Sequence, residues 1–265
     1  LHRGPEHSRI IINTFTKNVK ETKRVADSAQ GRGPGRPRGR TPRGLAAKER
    51  LYDIAVTLIA ERGYEGTTLR EVAKRARVSP GLLYRYFPSK RAVVVALYDE
   101  LSAQYAARAA NMKPGRWRDR FIFAAATSVD VLAPHRRTLA ALTPVIVGDP
   151  DEGVFSPAGA ASRQRVLNVF QQAVAGATDA PRPDVAAALG RLLYLAHLAI
   201  LLWWLMDKSP RQYATGALFA LLRRALPAAA LTLRLATVRG FVIAGDQLFA
   251  EALLDGAASS PPAVK

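Results

Sequence analysis

Cysteine is absent from the 265 residues. Its absence excludes disulfides, cysteine-based zinc sites and thiol chemistry, and nothing points to an oxidising compartment. Histidine is scarce: His2, His7, His135 and His197 stand far apart, without metal-ligand spacing. No metal and no cofactor are expected. Strand-like alternation of apolar and polar residues is nearly missing, which leaves an all-α fold. There is no nucleophile elbow, phosphate loop or pair of carboxylates on one helix face, and the glycines at 31–35 follow no strand. An enzyme is therefore not expected. The one apolar run near the start, Ile10 to Ile12, is too short for a signal peptide, so a cytoplasmic location is expected. The chain begins at Leu1, and part of its leading segment is expected to be a non-native or misassigned start.

What is present is apolar content and positive charge. Apolar residues make up 49% of the chain, enough for a sizeable core, and the formal charge is +18. Residues 1–45 hold 11 basic and 3 acidic side chains, whereas residues 46–101 hold 10 and 7. A polyanion at one end of the molecule follows from that asymmetry. Nucleic acid is the first such partner; an anionic membrane surface is the alternative.

Residues 1–30 are polar and without period. Residues 31–44 are so rich in glycine and proline that neither helix nor sheet is expected there. Residues 1–45 thus read as a disordered basic arm. From about Ala46, Leu51, Ile54, Ala55, Leu58 and Ile59 share one helical face, and Gly63 is a stop signal. Thr68-Leu69-Arg70-Glu71 has the form of a capping box. Ser79-Pro80 is an N-cap followed by proline at the first helical position. Phe87-Pro88 ends that helix, and Ser89 opens a longer one reaching Met112. Further helices are expected near 116–134, 137–147, 161–176, 184–206, 210–225 and 238–254, with residues 257–265 a disordered tail.

Two short helices, about 69–76 and 80–87, are joined only by Arg77, Val78 and Ser79. That spacing favours a steep crossing, the geometry of a helix-turn-helix. Val72, Ala73, Val78, Leu83 and Phe87 supply a small core. The second helix would enter a major groove N-terminus first, presenting Pro80, Gly81, Leu82 and Arg85.

The run from Thr67 to Lys90, ending Leu83-Tyr84-Arg85-Tyr86-Phe87-Pro88-Ser89-Lys90, resembles the signature of the TetR (tetracycline-repressor) family over about residues 46–101. The resemblance implies a helix-turn-helix DNA-binding domain over 46–92 and a larger helical effector-binding and dimerisation domain over 93–256. It implies that Thr68 and Lys90 touch phosphates, that Tyr84 and Tyr86 flank the groove, and that Arg85 reads a base edge. Leu82 stands where threonine or serine is commoner, so contact with a thymine methyl would replace a hydrogen bond. Arg91 stands where glutamate is usual; a cation there opposes the helix dipole unless a phosphate lies beside it. Tyr84 also reads as a simple core aromatic, and Lys90 and Arg91 as solvated charges.

Gly35-Arg36-Pro37-Arg38-Gly39-Arg40 is similar to an AT-hook, although its glycine precedes Arg-Pro where the hook core has Arg-Gly-Arg-Pro. Arg36, Arg38 and Arg40 would lie along a minor groove; the plainer reading is a linker that raises nonspecific affinity. If four arginines of the arm each neutralise a phosphate, the log–log salt slope of DNA binding steepens by roughly 3–4. Deleting residues 1–44 should remove that increment, and an unchanged slope would discard the arm.

Leu189 to Met206 is nearly all apolar and approaches the length of a membrane span, but Arg191 and His197 interrupt it. A helix apolar on every side in a globular protein is buried on every side. By the resemblance, 184–206 and 210–225 pack against their mates in a homodimer, and no membrane is involved. Phe121, Ala125, Tyr194, His197, Trp203 and Trp204 are the candidates for the wall of an effector pocket, with His197 equally readable as a hydrogen-bonded core histidine. The expected function is a repressor, released from a pseudo-palindromic operator by a small molecule. An enzyme with an appended DNA-binding module, a nonspecific architectural protein and an activator are the competing readings.

Overall fold

The computed structural model describes residues 42–149, 151 and 153–254, and among them every regular element is helical, as expected. Helix α1 (Pro42–Arg62) begins four residues before Ala46 and takes in Pro42, Arg43 and Gly44 from the stretch read as incapable of helix. Proline is compatible with a first turn, where its missing N–H has no partner to lose. Gly63 then ends α1 at a φ of 79°, the left-handed conformation that suits glycine.

Local capping builds the next three helices as the sequence predicts. Thr68 caps α2 (Leu69–Arg75) with both halves of the capping box formed. Ser79 caps α3 (Pro80–Tyr86), and Ser89 caps α4 (Lys90–Ala109). Between α2 and α3 the chain turns on Arg77 at a φ of 55°. The Val78 N–H donates to Ala73 O at 3.0 Å and the Arg77 N–H to Lys74 O at 3.1 Å. This is the Schellman closure usually given to glycine. An arginine there costs about 1–2 kcal/mol, offset by the apolar cluster beneath, which includes Leu51, Val72, Leu83, Phe87 and Val93.

The remaining helices are α5 (Trp117–Leu132), α6 (Arg136–Gly148), α7 (Ala160–Ala175), α8 (Pro183–Met206), α9 (Tyr213–Thr232) and α10 (Ala236–Phe249), with a π turn at Ala250–Leu254. Helix α8 packs closely along α7; a Cβ on Gly190 would stand 2.8 Å from Gln171 Cα, so only glycine admits that approach. Their core holds Phe121, Phe170, Val174 and Tyr194. Helix α10 also lies on α8, whereas α9 rests on α5. Asp207 starts the α8–α9 turn by accepting from Ser209 and Thr215, which holds its carboxyl well below the usual range.

A third cluster joins α1 and α4 to the larger body: Ile59, Val94 and Leu97 pack with Leu139, Leu142 and Trp204. The segments Pro183–Met206 and Pro210–Thr232 are long and apolar enough to cross a membrane. Half of the first one's apolar window is buried inside the protein but only 11% of the second's.

Candidate nucleic-acid interface and ligand cavity

The α3 helix presents one side outward on a fixed base. Leu83 is fully buried and Phe87 nearly so, while Pro80, Gly81, Tyr84 and Arg85 are exposed. Tyr84 is 44% exposed, which discards its reading as a core aromatic. A Cβ on Gly81 would meet nothing within 4 Å, so the fold itself does not demand glycine there. Leu82 is half-buried and its N–H donates to Ser79 Oγ. Tyr86 is half-buried against the cluster of Leu83 and Phe87 rather than standing free.

Two expected phosphate contacts are already engaged inside the protein. Thr68 Oγ1 accepts from the Glu71 N–H and donates to Glu71 Oε2, which also accepts from the Thr68 N–H. These hydrogen bonds, first that from the Thr68 backbone, lower the Glu71 carboxyl below its usual value. A phosphate at Thr68 therefore has to displace a carboxylate. Lys90 is turned inward: Nζ donates to Tyr64 O at 2.6 Å, lies 3.9 Å from the Tyr64 ring centre and 3.8 Å from a Glu65 carboxylate oxygen. Its reading as a solvated charge is corrected; Lys90 ties α4 to the loop after α1. Arg91 is half-buried in the first turn of α4. Arg36, Arg38 and Arg40 lie outside the described residues.

Sequence reasoning missed two long-range ties, Lys90 to Tyr64 and Arg50 Nη2 to Ala76 O. The second fastens the end of α2 to α1. Each spans 26 residues, beyond the reach of any local pattern. It also passed over Arg70, Lys74 and Arg77, exposed cations beside α3.

In the larger body a cavity of about 410 Å³ opens between α4, α5, α6, α7 and α8. Tyr194, His197 and Trp204, three of the six candidates, lie on its wall. The other three candidates do not. Phe121 and Ala125 are buried in the core, the former tilted on Phe170 with ring centres 6.0 Å apart, and Trp203 is 50% exposed on the outer side of α8. The wall also takes in residues not foreseen, among them Tyr105, Ser128, Ile146 and Arg163.

His197 Nε2 lies 2.8 Å from Ser128 Oγ, which makes it the hydrogen-bonded core histidine of one reading. Its Nδ1 faces no partner, and the Tyr105 and Tyr194 hydroxyls are likewise buried without one. Burial lowers the imidazole to about 3. The unfolded chain protonates His197 near 6.5 while the folded chain keeps it neutral. Stability is thus full above pH 6.5 and falls as pH drops toward 3, by up to about 1.4 kcal/mol per pH unit. Between pH 7 and 5 the wild-type protein should lose about 2 kcal/mol that a His197→Phe variant keeps. Urea unfolding of both proteins at the two pH values reads the difference; equal losses would refute a neutral buried imidazole.

Comparison with known proteins agrees with this geometry. The family model described as bacterial regulatory proteins, tetR family, matches residues 51–97, the span from α1 into α4. An uncharacterized HTH-type transcriptional regulator, YuxN of Bacillus subtilis, is 36% identical over 70 residues, 26% of this chain and 24% of its own length. The negative regulator IcaR of the biofilm operon icaADBC of Staphylococcus aureus is 41% identical over 46 residues, 17% and 25% of the two chains. The chain thus spans about a quarter of the length of these curated relatives. Among solved structures, a tetR-family transcriptional regulator from Streptomyces coelicolor superposes with a TM-score of 0.54 at 20% identity, covering 80% of this chain and 93% of the other. The regulator FadR of Bacillus subtilis, solved with stearoyl-CoA, gives 0.52 at 18% identity over 66% and 96%. At these identities the two structures establish a shared fold.

Proposed function

From a chain that belongs to the tetR family through the domain at residues 51–97, we propose a sequence-specific DNA-binding repressor that leaves a pseudo-palindromic operator when a small molecule fills the cavity. One observation carries the reading: α3 stands exposed on a packed base, with Tyr84 and Arg85 directed away from the core. Pro80, Gly81, Leu82 and Arg85 are assigned to base edges. Tyr84 and Tyr86 flank the groove, and Arg91 serves a phosphate with Thr68 and Lys90 at its margin. The protein acts in the cytoplasm, with its DNA.

Two reading heads require a symmetric pair, spaced about one helical turn apart. The expected dimer surface was 184–206 with 210–225, but α10 occupies part of the flank of α8. Large apolar side chains instead stand open on α9 and α10: Tyr213, Leu221, Leu231, Phe241 and Leu248. A second copy of the chain covering α9 and α10, together with Trp203 and Met206 at the end of α8, buries them, and the membrane reading loses its motive.

Trp204 connects the two sites. It lines the cavity and packs in the same cluster as Ile59 and Val94. A ligand that shifts Trp204 acts on α1 and α4, and lowers DNA affinity by no more than its own preference for the shifted state.

Footprinting the full chain on its own flanking intergenic DNA, with and without candidate effectors, tests the proposal. The expected result is a protected pair of half-sites that effector erases, resistant to random-sequence competitor. Competition by random DNA equal to that by the native site would make the protein architectural. Transcription from the protected promoter should fall when the protein is added; a rise would make it an activator.

A further inference from the structure

The cavity is built for a particular chemistry. Its wall is overwhelmingly apolar and includes Leu132, Leu139, Ile146, Leu201 and Trp204, all of one apolar cluster. Among the described residues on that wall, Arg163 carries the single charge, and no carboxylate accompanies it. Nη1 of Arg163 donates to Val154 O and Ser156 O, both at 3.1 Å, so two loop carbonyls fix the guanidinium in place. The rest of the fork, Nε and Nη2, donates to no described group, and no described acid pairs with the charge. The Tyr194 hydroxyl, close enough to feel that charge, is buried without a partner. So are the Tyr105 hydroxyl and His197 Nδ1. An immobilised, unpaired guanidinium beside idle buried hydroxyls leaves an anionic acceptor wanting, and its two free prongs match a carboxylate.

Resting on the reading of this cavity as the effector site, we propose that it takes a linear amphiphile with a carboxylate head, paired to Arg163 and Tyr194, and an alkyl chain laid against Leu139, Ile146 and Trp204. Length follows from volume. At about 30 Å³ per non-hydrogen atom, the share of one water in the liquid, a cavity of 410 Å³ holds about 14 such atoms. Dodecanoate has that size. The chain end reaches Trp204, the residue shared with the cluster under the reading head.

The sign of one preference decides the matter. A carboxylate sheds far more hydration than an alcohol on entering an apolar cavity, so dodecan-1-ol binds more tightly unless the cation takes up the charge. Calorimetric titration of the full chain should give a Kd for dodecanoate at least about tenfold below that for dodecan-1-ol. In Arg163→Gln the carboxylate affinity should drop at least about tenfold while the alcohol stays within about twofold. Unchanged alcohol binding also certifies that the variant is folded, and the wild-type preference is read without any variant. Wild-type protein that prefers the alcohol, or binds neither probe, overturns the inference. So does Arg163→Gln that keeps the preference for dodecanoate. Arg163-dependent binding in a chain that makes no operator footprint supports the inference and rejects the repressor reading. A normal footprint with no such preference does the reverse.

Discussion

Arg85→Ala is expected to weaken operator binding more than any other single change on the surface of the reading head. The guanidinium is exposed in the last turn of α3, and no described side chain holds it. If it makes a bidentate bond to guanine O6 and N7, each contact discriminates by about 1–3 kcal/mol. A symmetric pair makes it twice. The loss is then about 2–6 kcal/mol, roughly 30-fold to 10⁴-fold in Kd. The fold should not suffer, because exposed positions without partners cost within about 0.5 kcal/mol. Anisotropy titrations at one fixed salt concentration, on the native operator and on operators with each guanine replaced, check the assignment. The variant should become indifferent to one guanine per half-site. Arg85→Lys sharpens the test: it keeps a point charge and so the salt slope, but loses the fork that reads the base. A uniform loss across all operator variants would place Arg85 on the phosphate backbone instead.

The reading head was legible from sequence because its determinants are local. Thr68 with Glu71, Ser79 with Pro80, and Ser89 each act within one helical turn, and each forms the cap that its residue types predict. What local pattern could not reveal is how the offered side chains are spent. Lys90 lies at the start of a helix, as a phosphate contact should, yet its ammonium is held by Tyr64, which precedes it by 26 residues. The start of α1 was misplaced for a related reason: glycine and proline penalties were weighed without the tolerance of a first turn for both.

The larger body was harder because α8 is apolar all round, so helical period carries no information about which side faces what. Trp203 and Trp204 are neighbours in sequence and similar in chemistry. One is 50% exposed and the other fully buried against the cavity. Phe121 and Ala125, on α5, face the core rather than the cavity, a choice between two apolar surroundings that residue type does not decide. Arg163, the residue that gives the cavity its chemical character, lies on α7 in a stretch with no motif around it.

Arg191 was visible only as an interruption in an apolar run; its partner, Asp246, lies 55 residues away on α10. Nε donates to Oδ1 at 2.6 Å and Nη2 to Oδ2, a two-pronged clamp between α8 and α10. The aspartate side chain is 6% exposed and the arginine 30%. Such a pair adds little over well-packed apolar residues, but breaking it from one side strands a buried charge. Arg191→Ala should therefore destabilise the protein by about 3 kcal/mol, near the lower end for buried pairs because the arginine is partly wet. Arg191→Leu combined with Asp246→Leu should recover most of that loss, since neither charge remains. Urea unfolding gives the energies, and amide exchange along Ala236–Phe249 locates them: protection should fall in the single variant and return in the double. If exchange in α10 does not change in Arg191→Ala, the clamp does not hold that helix. If it does rise, the apolar side chains of α10 lose their fixed platform, and the proposed pairing of two copies through Phe241 and Leu248 should weaken with it, read as a higher dimer dissociation constant by sedimentation.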